Sequence, residues 1–82
     1  MIKILFFARL REQLGTRECS VTWSDNMTVQ SLINHLLANN DDKWQLLLAD
    51  EVVVAINQQV VGRDARIKDG DELAFFPPVT GG

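Results

Sequence analysis

The sequence predicts an α+β fold in which one mixed sheet packs against one main helix. Ile2 to Ala8, near one end of the chain, and Glu72 to Phe76, near the other, are apolar on both alternating faces, as strands at the centre of a sheet are. Val29, Leu32, Ile33, Leu36 and Leu37 recur at helical spacing and form one stripe to bury. The segments between are short β-branched runs bounded by turn residues.

The elements follow in order. Ile2, Ile4, Phe6 and Ala8 share one face of the first strand, with Lys3, Leu5 and Phe7 on the other. Arg9 to Leu14 reads as a helical connector of a turn or two that Gly15 ends in the left-handed conformation. Glu18 to Ser24 alternates, with Cys19, Val21 and Trp23 on the apolar side, and pairs with the first strand as a hairpin. Thr28 is placed to cap the main helix, which stops at Asn39 and Asn40. Asp41 and Asp42 suit the positive end of a second short helix in which Trp44, Leu47 and Leu48 share a face.

Val52 to Ile56 is a strand, Asn57, Gln58 and Gln59 turn it, and Val60 and Val61 resume pairing until Gly62, Arg63 and Asp64 leave it. Lys68, Asp69, Gly70 and Asp71 form a turn with Gly70 at positive φ, feeding Glu72 to Phe76 as the last strand before Pro77 and Pro78 end all pairing. A β-grasp arrangement, with first and last strands adjacent and parallel, satisfies this order. With no internal repeat and no linker, residues 1–82 read as a single domain, of which 77–82 are a tail outside the packed part.

A domain of 82 residues buries only roughly 60 to 65% of its unfolded surface, which leaves one core and no deep pocket. The helices can cover only one side of the sheet. The doubly apolar strands then leave either a second face covered by loops and the short helix or an exposed apolar interface. A net charge of -3 disfavours phosphate backbones and anionic lipid, so no nucleic acid and no membrane are expected as partners, and another protein, a basic one included, is. One cysteine excludes an internal disulfide, and the apolar run at the start is too short for a signal or a span, so a cytoplasmic location is expected.

The chain holds one His, one Cys, no Tyr, no Gly-rich phosphate loop and no paired metal ligands, so no resident cofactor or metal is expected. His35 falls on the exposed flank of the main helix, where a solvated role outweighs a chemical one. Cys19 shares a face with Val21 and Trp23 and reads as a small hydrophobe rather than a reactive thiol. Asp69, Asp71 and Glu72 are too few and too close in sequence for a calcium loop and read as a solvated turn.

The tail is different. Six residues from Pro77 to Gly82 extend about 20 Å at roughly 3.3 Å per residue, enough to enter another protein's cleft. Pro77 and Pro78 stiffen its root, while Gly81 and Gly82 carry no side chains to block a narrow channel. A carboxylate at Gly82 is unhindered and, once converted to an acyl adenylate, is open to attack by sulfide, persulfide, thiol or amine. A C-terminal Gly-Gly standing alone would be read as a frayed end.

It does not stand alone. Phe75-Phe76-Pro77-Pro78-Val79-Thr80-Gly81-Gly82, preceded by Asp69-Gly70-Asp71-Glu72, resembles the ending of the small subunits of molybdopterin synthase, the MoaD family. Phe6-Phe7-Ala8, Arg11-Glu12 and Gly15-Thr16 resemble the start of the same family. The resemblance implies a ubiquitin-like β-grasp sulfur carrier whose Gly82 is adenylated by an ATP-dependent, ubiquitin-activating-like adenylyltransferase. A sulfur-donating protein then supplies the sulfur that makes Gly82 a thiocarboxylate.

The resemblance also implies insertion of the tail into a large subunit, in a heterotetramer of two small and two large subunits. There, sulfur passes to cyclic pyranopterin monophosphate to build the molybdopterin dithiolene. The chain is thereby the sulfur-donating subunit of a sulfurtransferase, without catalysis on its own. By the same resemblance Gly82 bears the sulfur, Gly81 gives access, and Phe7, Val60, Phe75, Pro77, Pro78, Val79 and Thr80 meet partners. Three rivals stand beside it: a sulfur carrier for another pathway such as thiamine, a ubiquitin-like modifier attached through Gly82, and a passive interaction module.

Overall fold

The computed structural model describes residues 1–77. Its order is β1 (Ile2–Phe6), α1 (Ala8–Leu14), β2 (Glu18–Val21), α2 (Val29–Ala38), a 3₁₀-helix (Asp42–Leu48), β3 (Val53–Ile56), β4 (Gln59–Val61) and β5 (Glu72–Phe76). The strands form one sheet in the order β2-β1-β5-β3-β4. β1 and β5 are parallel neighbours at its centre, and every other pairing is antiparallel, which is the expected β-grasp arrangement.

Sequence-local chemistry sets several boundaries. Thr28 caps α2 through a reciprocal box: its hydroxyl accepts from the Ser31 N–H at 3.1 Å, and the Ser31 hydroxyl accepts from the Thr28 N–H at 2.9 Å. Gly15 ends α1 at φ 65, and Gly70 turns the chain into β5 at φ 90. β3 and β4 are joined by a two-residue turn with Asn57 at φ 49 and Gln58 at φ 73, so Gln59 already belongs to β4. Arg63 donates to the carbonyls of Leu47 and Ala49 at 3.1 and 2.7 Å, tying the end of the 3₁₀-helix to the segment that leaves β4.

Besides Gln59, four expectations change. β2 stops at Val21 rather than Ser24, because its partner β1 begins at Ile2, opposite Val21, and nothing remains to pair with. Trp23 instead turns its indole N–H to the carbonyl of Ile67 at 2.8 Å. β3 begins at Val53, opposite Phe76, the last residue of β5 before Pro77. Ala8 is not the end of β1: the chain breaks there at φ 52 and enters α1, whose Leu10 and Leu14 are core residues, so this helix is more than a connector. Leu48 is exposed although Trp44 and Leu47 are buried. A 3₁₀-helix has about three residues per turn, so 44 and 47 superpose while 48 swings to another side.

All three helices contribute to one core on one face of the sheet, where Ile2, Ile4 and Phe6 of β1 and Leu73 and Phe75 of β5 meet Val29, Leu32 and Ile33 of α2. Phe6 holds this core together, stacking on Phe75 at 5.7 Å and meeting Trp44 edge-on at 5.3 Å.

Candidate functional site

The opposite face of the sheet has no cover among the described residues. Strand alternation brings Leu5 and Phe7 there from the β1 segment, Ala74 and Phe76 from β5, Ala55 from β3 and Val60 from β4. These six line a shallow apolar basin of about 290 Å³, in which Gln58 and Glu72 are the polar members. Phe7 and Phe76 stack almost in parallel, 4.8 Å apart with 7° between their planes, and remain 38% and 36% exposed. Val60 is 74% exposed. Of the two expectations for this face, an exposed apolar surface is the one found.

The pairing register explains why the rings are held so closely. Phe6 lies opposite Phe75 across the parallel β1–β5 ladder, and the Phe7 N–H donates to the Phe75 carbonyl at 3.1 Å. The next residues on both segments, Phe7 and Phe76, therefore emerge side by side on the open face. Phe7 is also the N-cap residue of α1, in extended backbone, which fixes its ring just before the chain turns into the helix.

Phe75 must be corrected. The resemblance makes it a partner contact at the surface, but it is 0% exposed and packed in the core. Alternation puts Phe75 and Phe76 on opposite faces without saying which goes inward, and the surface ring is Phe76. Glu72 carries the signal that was missed: it shares a face with Ala74 and Phe76, and an acidic side chain at the strand start marks the solvent side. Phe7 and Val60 do lie on the open face.

Pro77 is half-buried and lines a small groove with Arg9, Leu10 and Gln13 of α1 and Leu46 of the 3₁₀-helix. Because β1 and β5 are parallel, the chain reaches Pro77 at the same end of the sheet as the Phe7–Phe76 stack. Pro78, Val79, Thr80, Gly81 and Gly82 lie outside the described residues.

The remaining candidates do not line this basin. His35 is exposed on α2. Cys19 is half-buried, and burial, followed by the charge of Glu18, pushes its thiol above the ordinary range for a cysteine, away from the reactive thiolate. Asp71 serves its turn, accepting from the Lys68 N–H at 2.8 Å and from the Asn57 side-chain amide at 2.9 Å. Among the described residues no group of three or more His, Cys, Asp and Glu is arranged to hold a metal ion, and no helix is long and apolar enough to cross a membrane.

The family model described as the ThiS family matches residues 4–82. The chain belongs to the ThiS family. Relatives that share this whole length include the molybdopterin synthase sulfur carrier subunit of Escherichia coli, 49% identical over 83 aligned positions that cover 100% of both chains. The protein of the same name from Haemophilus influenzae is 41% identical, again over 100% of both. Among solved structures, small archaeal modifier protein 1 of Haloferax volcanii has a TM-score of 0.76 at 28% identity, covering 95% of this chain and 97% of that one. The ubiquitin-like β-grasp is thus the fold of this ThiS-family chain as well as of its structural neighbour.

Proposed function

We propose that this ThiS-family protein is the sulfur carrier subunit of a molybdopterin synthase. The observation that carries the proposal is the open apolar face of the sheet, with the Phe7–Phe76 stack beside the point where β5 hands over to the tail. Full-length identity of 49% and 41% to two molybdopterin synthase sulfur carrier subunits supports it over a carrier for thiamine or another pathway. The likeness to an archaeal modifier protein, at 28% identity, keeps attachment of Gly82 to amines as the second reading.

The division of labour follows from the chemistry. The apolar face docks, because burying Phe7, Val60 and Phe76 against a partner removes exposed aromatic and aliphatic surface from water. An activating enzyme joins the Gly82 carboxylate to AMP, with pyrophosphate leaving, and sulfur at the sulfide level displaces AMP to give the thiocarboxylate. The large subunit then takes the tail, and the sulfur passes to cyclic pyranopterin monophosphate on the way to molybdopterin as water cleaves the Gly82 C–S bond and restores the carboxylate. Gly82 is the sulfur-bearing residue, Gly81 leaves the approach unobstructed, and Pro77, Pro78, Val79 and Thr80 meet the partner. The pterin-binding groups belong to the large subunit, two copies of which join two carriers.

Intact mass measurement after incubation with the activating enzyme, ATP and a sulfur source tests this directly. An oxygen-to-sulfur mass gain confined to Gly82 is the expected result. An unchanged mass ends the proposal, and a product joined through Gly82 to lysine amines moves the conclusion to the modifier reading.

A further inference from the structure

The charge of the chain is unevenly placed. Residues 1–17 hold four cations, Lys3, Arg9, Arg11 and Arg17, against one acid, Glu12, a side-chain net charge of +3. Residues 18–82 hold four cations against ten acids, net -6, so an acidic molecule keeps half its cations in its first fifth. Such asymmetry marks a recognition surface.

The fold concentrates it further. Lys3 of β1, Arg11 of α1 and Arg17 before β2 line a cleft of about 250 Å³ together with Leu5, Phe7 and a single acid, Glu18. Among the described residues none of the three cations has a carboxylate within 4.0 Å, although Lys3 shares its row of the sheet with Glu72. Leu5 and Phe7 line this cleft and the apolar basin alike, so the two form one continuous surface.

We propose that the cleft receives a carboxylate-bearing segment of the same protein partner that covers the apolar face, and that Lys3, Arg11 and Arg17 set its approach and register. The overall charge of -3 suits a basic partner, but the docking face is locally the reverse. Two guanidinium groups favour planar, bidentate carboxylates. Nucleic acid and anionic lipid fit poorly, because three cations are few, the rest of the molecule repels polyanions, and Leu5 and Phe7 require apolar surface beside the acids. Charges at the edge of an apolar contact act mainly on the rate and orientation of encounter.

This rests on the carrier function proposed above, and its test separates the two. Association of the full chain with the molybdopterin synthase large subunit is followed by stopped-flow at low and at physiological ionic strength. The double variant Arg11→Glu and Arg17→Glu is expected to associate about tenfold more slowly at low salt and to lose most of the salt dependence, with little change in dissociation. The neutral pair Arg11→Gln and Arg17→Gln is expected to fall between, whereas Phe76→Asp speeds dissociation. Circular dichroism and urea midpoints confirm that each variant is folded. Wild-type binding with an unaltered rate and salt slope in a folded double-Glu variant overturns this inference alone. Absence of wild-type binding overturns the carrier function with it. Tight binding of a single-stranded oligonucleotide, lost in the double variant, replaces the protein segment with a polyanion and also overturns the inference.

Discussion

Adjacent phenylalanines do opposite work at the end of β5. Phe75 stacks on Phe6 in the core, so Phe75→Ala leaves a cavity and is expected to cost about 3 to 5 kcal/mol in urea unfolding. Phe76 stacks on the surface ring of Phe7, so Phe76→Ala should leave the unfolding midpoint within about 1 kcal/mol of wild type while weakening large-subunit binding severalfold. Equal loss of stability in both would contradict the assignment of faces. Cys19 makes a second residue-level prediction. Its folded-state pKa is raised, so the unfolded chain loses the proton first as pH rises, and the neutral thiol's stabilisation fades through the alkaline range above the ordinary thiol pKa. Urea titrations at neutral and alkaline pH should show a smaller alkaline loss in Cys19→Ser than in wild type.

At the scale of elements, the β3–β4 hairpin combines strain with compensation. Both turn residues are in the left-handed region, which Asn57 tolerates and Gln58 does not. Asn57 also ties the turn to β5: its N–H donates to the Glu72 carbonyl at 2.8 Å, and its side-chain oxygen accepts from the Glu72 N–H at 3.0 Å. Gln58 has no such hydrogen bond among the described residues, so Gln58→Gly should raise stability by about 0.5 to 1 kcal/mol, read as a later urea midpoint. An earlier midpoint would show that Gln58 supports the turn in another way. Elements with a chemical punctuation mark were legible in the sequence: the Thr28 cap of α2, the Gly15 end of α1 and the Gly70 turn into β5. The end of β2 was not, because alternation continues through Trp23 while the pairing partner does not. The short helix was legible as helical but not as 3₁₀, and α-helical spacing groups Leu48 with Trp44 where three residues per turn do not.

For the whole molecule, the core lies on one side of the sheet, the open apolar face on the other, and Pro77 follows β5 at the end where β1 and β5 finish together. In the proposed carrier function, chemistry and folding are thereby separated. Deleting Gly82 is expected to leave the unfolding midpoint and partner binding nearly unchanged and to abolish thiocarboxylate formation by intact mass, whereas a large drop in stability would place Gly82 in the folding unit. The amino-acid sequence by itself determined the fold class, the main helix and the succession of strands along the chain, because periodicity, caps and turn residues act between neighbours in the chain. It also put a diglycine after a Pro-Pro root, from which the tail chemistry is inferred. Lys3 and Glu72 mark the outward faces of β1 and β5 only weakly, and the tertiary structure decided which face turned inward, which phenylalanine stayed at the surface, and that Lys3, Arg11 and Arg17 meet beside it. Those outcomes depend on pairing β1 with β5 across most of the chain, and a helix that covers only one face of the sheet makes them unequal.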